Sequence, residues 1–164
     1  MKYIISMFFL LSVTVLNAQT VDEAIEWNDD IVLTQSVMLS YEDDLIDAIV
    51  EDKSADTIAY AYFEYLSFIN LAIEVYEDEP PFDSKDIFRK AILTLLYDFK
   101  EVAATQYAEL IYIYMTPADE LTDYDYERWD LLIEQVDDIE GKSNDAFLDA
   151  QQQFADQYGF TLGE

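Results

Sequence analysis

Residues 88–113, FRKAILTLLYDFKEVAATQYAELIYI, decide the fold. Phe88, Ala91, Ile92, Leu95, Leu96, Phe99, Val102, Ala103, Leu110 and Ile113 recur at spacings of three and four, which is one face of an α-helix. Gln106 falls on the same stripe and interrupts it. Consecutive prolines, Pro80-Pro81, keep this helix from extending upstream through them, and Thr116-Pro117 ends it. Ser84 or Asp83 is placed to cap its start.

Three more stretches of the same kind flank it. From about Val21 to Glu51, Trp27, Ile31, Met38, Tyr41, Leu45 and Ala48 mark one helical face, with Thr20 or Asp22 as the N-cap. Such an element is ~45 Å long at 1.5 Å per residue. Asp52-Lys53-Ser54 breaks it, and Asp56 is placed to cap a second stretch, Thr57 to Glu77. Tyr60, Tyr62, Phe63, Tyr65, Phe68 and Tyr76 go most of the way round that second helix, which predicts that it is the most buried. A fourth stretch runs from about Tyr124 to Tyr158, carrying Trp129, Leu132, Ile133, Val136, Phe147, Ala150, Phe154 and Tyr158. Gly141 inside it marks a bend or break, and Gly159 a C-cap. No β-period alternation of useful length appears. Four amphipathic stretches with short connections predict an all-α fold, an antiparallel four-helix bundle over residues 19–164.

The first eighteen residues read differently. One positive charge at Lys2 precedes an apolar run from Ile4 to Leu16, and Ala18-Gln19 offers a cleavage point. That is the pattern of a secretory signal peptide over residues 1–18, too short for a membrane span. Its removal takes away Lys2 and no acid, so 7 basic side chains face 36 acidic ones, a formal charge of −29. Such a field opposes binding to nucleic acid or to anionic lipid and favours cationic or neutral partners and metal cations. Disorder is excluded by composition, since 52% of the chain is hydrophobic and 15% aromatic. No later segment is apolar enough for stable membrane insertion.

The chain has no cysteine and no histidine. Disulfides and a lipid-modified N-terminal cysteine are therefore excluded, and the expected product is exported, periplasmic or extracellular, and not lipid-anchored. Serine and cysteine triads lose their usual base, and Glu-x-x-His di-iron sites lose their nitrogen. No catalytic residue is expected.

Three constellations remain. Acidic runs, above all the loop acids Glu77, Asp78, Glu79 and Asp83, supply oxygens of the kind calcium (Ca2+) takes, although none has the D-x-D-x-D-G spacing. Asn28 and Gln35 lie seven apart on one face of the first helix, Gln106 interrupts the third stripe beside Tyr107, and Gln151 borders the fourth. These amides either fix helix register by bonding one another or line a polar ligand cavity between helices. Tyr112, Tyr114, Tyr124 and Tyr126, from a chain with 13 tyrosines, gather where the third and fourth stretches meet. Tyrosine beside carboxylate suits a peptide or glycan surface, because the ring packs while the hydroxyl bonds.

Three segments together resemble a family of helical bacterial surface proteins of unknown function, first named for a spirochaete locus and common in Bacteroidota. They are Trp27-Asn28-Asp29-Asp30-Ile31-Val32 with Gln35, the stretch Phe88 to Ile113 with Asp98-Phe99-Lys100 and Gln106-Tyr107, and Ala150-Gln151-Gln152-Gln153-Phe154-Ala155 running to Phe160-Thr161-Leu162. Gln106 stands where the family has Glu. The resemblance spans essentially the whole chain after the signal and implies a helical surface protein without implying an activity. The expected function is a non-enzymatic interaction or ligand-binding module with a protein or glycan partner. The alternative is a calcium-binding protein that uses its clustered carboxylates.

Overall fold

The computed structural model describes residues 20–163; the signal peptide expected over residues 1–18 lies outside the described residues. The described residues form four helical rods and no strand. Helix α1 spans Val21–Val50 and α2 spans Ala55–Asp78. The third rod is α3 (Ile87–Val102), a π-helical turn (Ala103–Tyr107) and α4 (Ala108–Met115) in succession. The last is α5, Asp123–Tyr158.

Each start has a local cause. Thr20 and Glu23 make a capping box on α1, the Thr20 Oγ1 accepting from the Glu23 N–H at 3.2 Å and the Glu23 carboxylate from the Thr20 N–H at 2.7 Å. Thr122 and Asp125 repeat the device on α5. Ser54, not Asp56, caps α2, accepting from the Thr57 N–H at 3.3 Å; Asp56 is already inside the first turn. The N-cap position of α3 is Asp86 instead of Ser84 or Asp83, with φ +54° and no side-chain cap of its own. Its carboxylate is held by Arg89, which also donates to the Tyr76 carbonyl at 2.8 Å and so ties the end of α2 to the start of α3. Helix α5 runs unbroken through Gly141. Gly159 ends α5 in the left-handed region at φ +75°, where glycine carries no Cβ penalty.

The rods alternate in direction. Tyr41 meets Phe68 while Thr34 meets Tyr76; Tyr62 meets Ala103 while Tyr97 meets Glu77; Asp98 meets Ser143 while Glu109 meets Arg128. Rising numbers on one rod meet falling numbers on the next, so neighbours are antiparallel. Helix α5 closes back onto α1, and α3 also touches α1 across the core. That diagonal contact makes α3 the most buried rod, with Phe88, Ile92, Leu95, Leu96, Phe99 and Val102 inside. Helix α2, expected to hold that place, packs only on α1 and α3 among its main neighbours and leaves Tyr60, Phe63, Leu71 and Val75 exposed. On α1 the seam is regular: Ala24, Ile31, Met38 and Leu45 recur every seven residues and are fully buried. At the base, Phe82, Phe88, Phe147, Phe154 and Tyr158 pack ring against ring.

Candidate functional site

Four residues after each of the first three seam positions of α1 comes a polar side chain: Asn28, Gln35 and Glu42. Each meets α5. Gln151 donates from Nε2 to Asn28 Oδ1 at 2.9 Å, and Gln35 donates from Nε2 to Asn144 Oδ1 at 3.0 Å. The third rung is different in kind. There Glu42, buried, meets Glu140, half-buried, carboxyl to carboxyl within hydrogen-bonding reach. Two acceptors face each other, so a proton or a cation must lie between them.

The other two rods complete this third rung. Tyr107 donates its hydroxyl to Glu42 Oε1 at 2.7 Å. Tyr65 of α2 is fully buried and faces Glu42 outside hydrogen-bond geometry, so its hydroxyl has no partner among the described residues. Glu140 Oε1 is likewise buried and without a donor. Burial pushes the Glu42 carboxyl up, against the pull of the facing Glu140 and of the Tyr107 and Tyr65 hydroxyls. Burial, then the facing Glu42, then Asp137 push Glu140 up to about 10. Burial and the charge of Glu42 raise the Tyr65 and Tyr107 hydroxyls too, which stay protonated donors.

The π turn sets this geometry. Ala103–Tyr107 carries the wider turn in an otherwise α-helical rod, and π turns are frequent at functional positions. Tyr107 is thereby the inward residue, while Gln106 sits half-buried on the flank and reaches Gln135 Oε1 at a long 3.5 Å. The Ala103 carbonyl is satisfied by the Tyr62 hydroxyl at 3.0 Å. The expected amides therefore form separate rungs: Asn28 with Gln151, Gln35 with Asn144, Gln106 with Gln135. They do not join in one network.

The loop acids are placed otherwise. Asp83 Oδ1 accepts from the Lys85 and Asp86 N–H groups, both at 2.8 Å, and Oδ2 accepts from the Tyr158 hydroxyl at 2.8 Å and from Gln157. Its oxygens are occupied by the protein. Glu77 accepts from Tyr97, and Glu79 is the C-cap residue of α2. Among the described residues no group of three or more acidic side chains is placed to hold a metal ion, those of Glu77, Asp78, Glu79 and Asp83 included.

On the surface, a groove of about 250 Å³ runs between α1 and α2, lined by Tyr41, Asp44, Ala48, Thr57, Tyr60, Ala61 and Glu64. Neither Asp44 nor Glu64 has a hydrogen-bond or ion-pair partner among the described residues. Among the described residues no cation lines this groove, and the ion pairs of the fold lie elsewhere: Lys53 with Glu51, Arg89 and Lys90 with Asp86, Arg128 with Glu109 and Lys142 with Asp138. Of the four tyrosines expected at the junction of the third and fourth rods, Tyr112, Tyr124 and Tyr126 are exposed. Tyr114 lies against the core and donates to Asp52. Tyr114 and Tyr126 line a second, mostly apolar groove with Ile113, Leu121 and Trp129.

Compared with protein-family models, curated proteins and solved structures, the chain matches none of them. Among the described residues no helix is long and apolar enough to cross a membrane.

Sequence reading took Glu42 only as part of an acidic run and Tyr65 only as a core aromatic, and it missed Glu140. Glu42 had a signal, because it continues the seven-residue series of Asn28 and Gln35. Glu140 had none, because it departs from the seven-residue step that joins Gln151 to Asn144.

Proposed function

We propose that this chain is an exported, non-enzymatic helical binding module that takes a cationic polypeptide segment in the groove between α1 and α2. The observation that carries this is the lining itself: two phenol rings, Tyr41 and Tyr60, beside two unpartnered carboxylates, Asp44 and Glu64. A lysine or arginine side chain lays its methylene stem along such rings and its charged head between the carboxylates. Cation–π attraction adds ~0.5–1 kcal/mol at an exposed site of this kind. The formal charge of −28 attracts such a partner from a distance and speeds its arrival. Export rests on residues 1–18, and the same proposal keeps the resemblance to helical bacterial surface proteins as the family assignment.

Fluorescence polarisation with a labelled Lys/Arg-rich peptide and with a neutral peptide of equal length tests the proposal at physiological salt. The expected result is saturable binding of the basic peptide alone, weakened roughly tenfold in the D44N/E64Q double variant, as loss of about 1.4 kcal/mol gives. Equal binding by the double variant would place any affinity in the general acidic surface and sink the groove.

A further inference from the structure

We propose that the core of the bundle holds a hard divalent cation between Glu42 and Glu140, with the hydroxyls of Tyr65 and Tyr107 completing its oxygen shell. This site is independent of the surface groove and lies apart from the loop acids.

The starting point is the break in the ladder. Two rungs between α1 and α5 are amide pairs, in which a donor meets an acceptor. A rung needed only for register is served by that chemistry, whereas the third position carries two acceptors. Around it, α1 contributes Glu42 and the nearby Asp43, α2 contributes Tyr65, the π turn Tyr107, and α5 Glu140 and Asp137. No lysine or arginine is paired with Glu42 or Glu140 among the described residues. A buried charge without a compensating partner is costly, and two facing carboxylates need two positive charges to be neutral.

A second, independent observation points to a ligand. The Tyr65 hydroxyl is fully buried, has no hydrogen-bond partner and is aimed at the carboxylate pair. Glu140 Oε1 is buried without a donor beside it. Buried polar atoms are rarely left unmatched, and here the unmatched ones are oxygens brought from two rods beside the same carboxylate, Glu42. All the groups present are oxygens, with neither nitrogen nor sulfur, which selects calcium or manganese over zinc or copper. Calcium tolerates irregular oxygen shells at 2.3–2.6 Å, whereas magnesium demands a near-ideal octahedron (~2.0–2.1 Å) and gives up its water reluctantly. The α5 side is the more open one. Glu140 is only half-buried, and Asp137 and Asp138, just before it in α5, line an open surface groove with Glu134 and Gln135.

Thermal melts of the purified protein in calcium, manganese, magnesium and sodium chloride at matched ionic strength, beside tyrosine-sensitised terbium luminescence, test the site. The wild type is expected to show a saturable rise in midpoint with calcium or manganese beyond that in sodium, because a ligand that prefers the folded state stabilises it. Affinity should fall at least roughly tenfold in both E42Q and E140Q, as is usual even for residues that only support a metal. Y65F, which keeps the ring, should weaken binding less, and D44N/E64Q should leave it unchanged. Glutamine at either position can donate to the remaining carboxylate as the lower rungs do, and circular dichroism checks that these variants fold. Equal midpoints in calcium, manganese and sodium would overturn the proposal, as would an undiminished calcium response in E42Q and E140Q.

Discussion

Asp83 at the base of the bundle and the Glu42–Glu140 pair in its middle are carboxylates drawn into the fold of one very acidic chain, yet they are handled in opposite ways. Burial pushes Asp83 up, but hydrogen bonds from the Asp86 N–H, Tyr158, Gln157 and the Lys85 N–H outweigh it and hold the carboxyl below its ordinary range. At Glu42 burial wins, because only the Tyr107 hydroxyl donates in good geometry and the facing group is another acid. Both sites lie in the same surplus of negative charge. What separates them is the local count of N–H and O–H donors, since an ionised carboxylate needs several to stay charged away from water.

That contrast breaks most directly at Asp83. Asp83→Ala unpairs two backbone N–H groups, the Tyr158 hydroxyl and Gln157, and should cost about 2–3 kcal/mol in chemical denaturation at neutral pH. The sign with pH follows from the lowered pKa: the Asp83 contribution is fully present above the unfolded value and is lost as pH falls through the folded one. The variant and wild type should therefore converge in acid. If the gap persists at pH 2, the hydrogen bonds to ionised Asp83 are not what it measures.

The middle of the bundle should behave the other way. Glu140 is raised from 4.5 to about 10, so its contribution is complete below pH 4.5 and is lost as pH rises toward 10. Glu42, Asp43 and Asp137 are the charges around it, and Tyr65 and Tyr107 the hydroxyls. In chelator, Glu140→Gln should match wild type near pH 4 and exceed it by ~1–2 kcal/mol at pH 9, an amide having replaced the unpaired acid. Parallel pH profiles would mean that the pair is too well hydrated to feel burial.

The smallest effect is expected just beyond that pair. A Cβ at Gly141 would meet nothing within 4 Å, and the residue is helical, so Gly141→Ala should stabilise by ~1 kcal/mol in thermal melts. A loss instead would show that the α5 backbone beside Glu140 needs freedom, which would sharpen the difference between the two acid sites.

The sequence was most legible where period alone decides. The seam of α1 and the stripe of α3 are three- and four-residue repeats, and both faces turn inward, with Trp27, Tyr41 and Ala91 only partly buried. Asn28, Gln35 and Gln151 were found because an amide on or beside an apolar stripe stands out. The exposed side of α2 was not legible, since composition cannot say which of many aromatic residues will lack a neighbouring rod. The π turn was hidden for a related reason: Ala103, Gln106 and Leu110 fit an unbroken α-helix, and only packing against Tyr62 and Glu42 shows the extra residue. With 36 acidic side chains, the pairing of Glu42 with Glu140 was one possibility among hundreds until the rods were set side by side.

The π turn also divides the third rod into two parts whose angular phase is set by one residue. Tightening Ala103–Tyr107 to α-helical geometry with no residue lost would rotate everything above it by about 100°. Leu110 and Ile113, now facing inward, would swing toward the side, and the tyrosines at the top would sweep round with them. Below the turn, Phe88 to Phe99 would not move. A switch of this one turn between π and α geometry would thus act on the protein as a change in the aim of the upper part of its third rod, with the base left as it was.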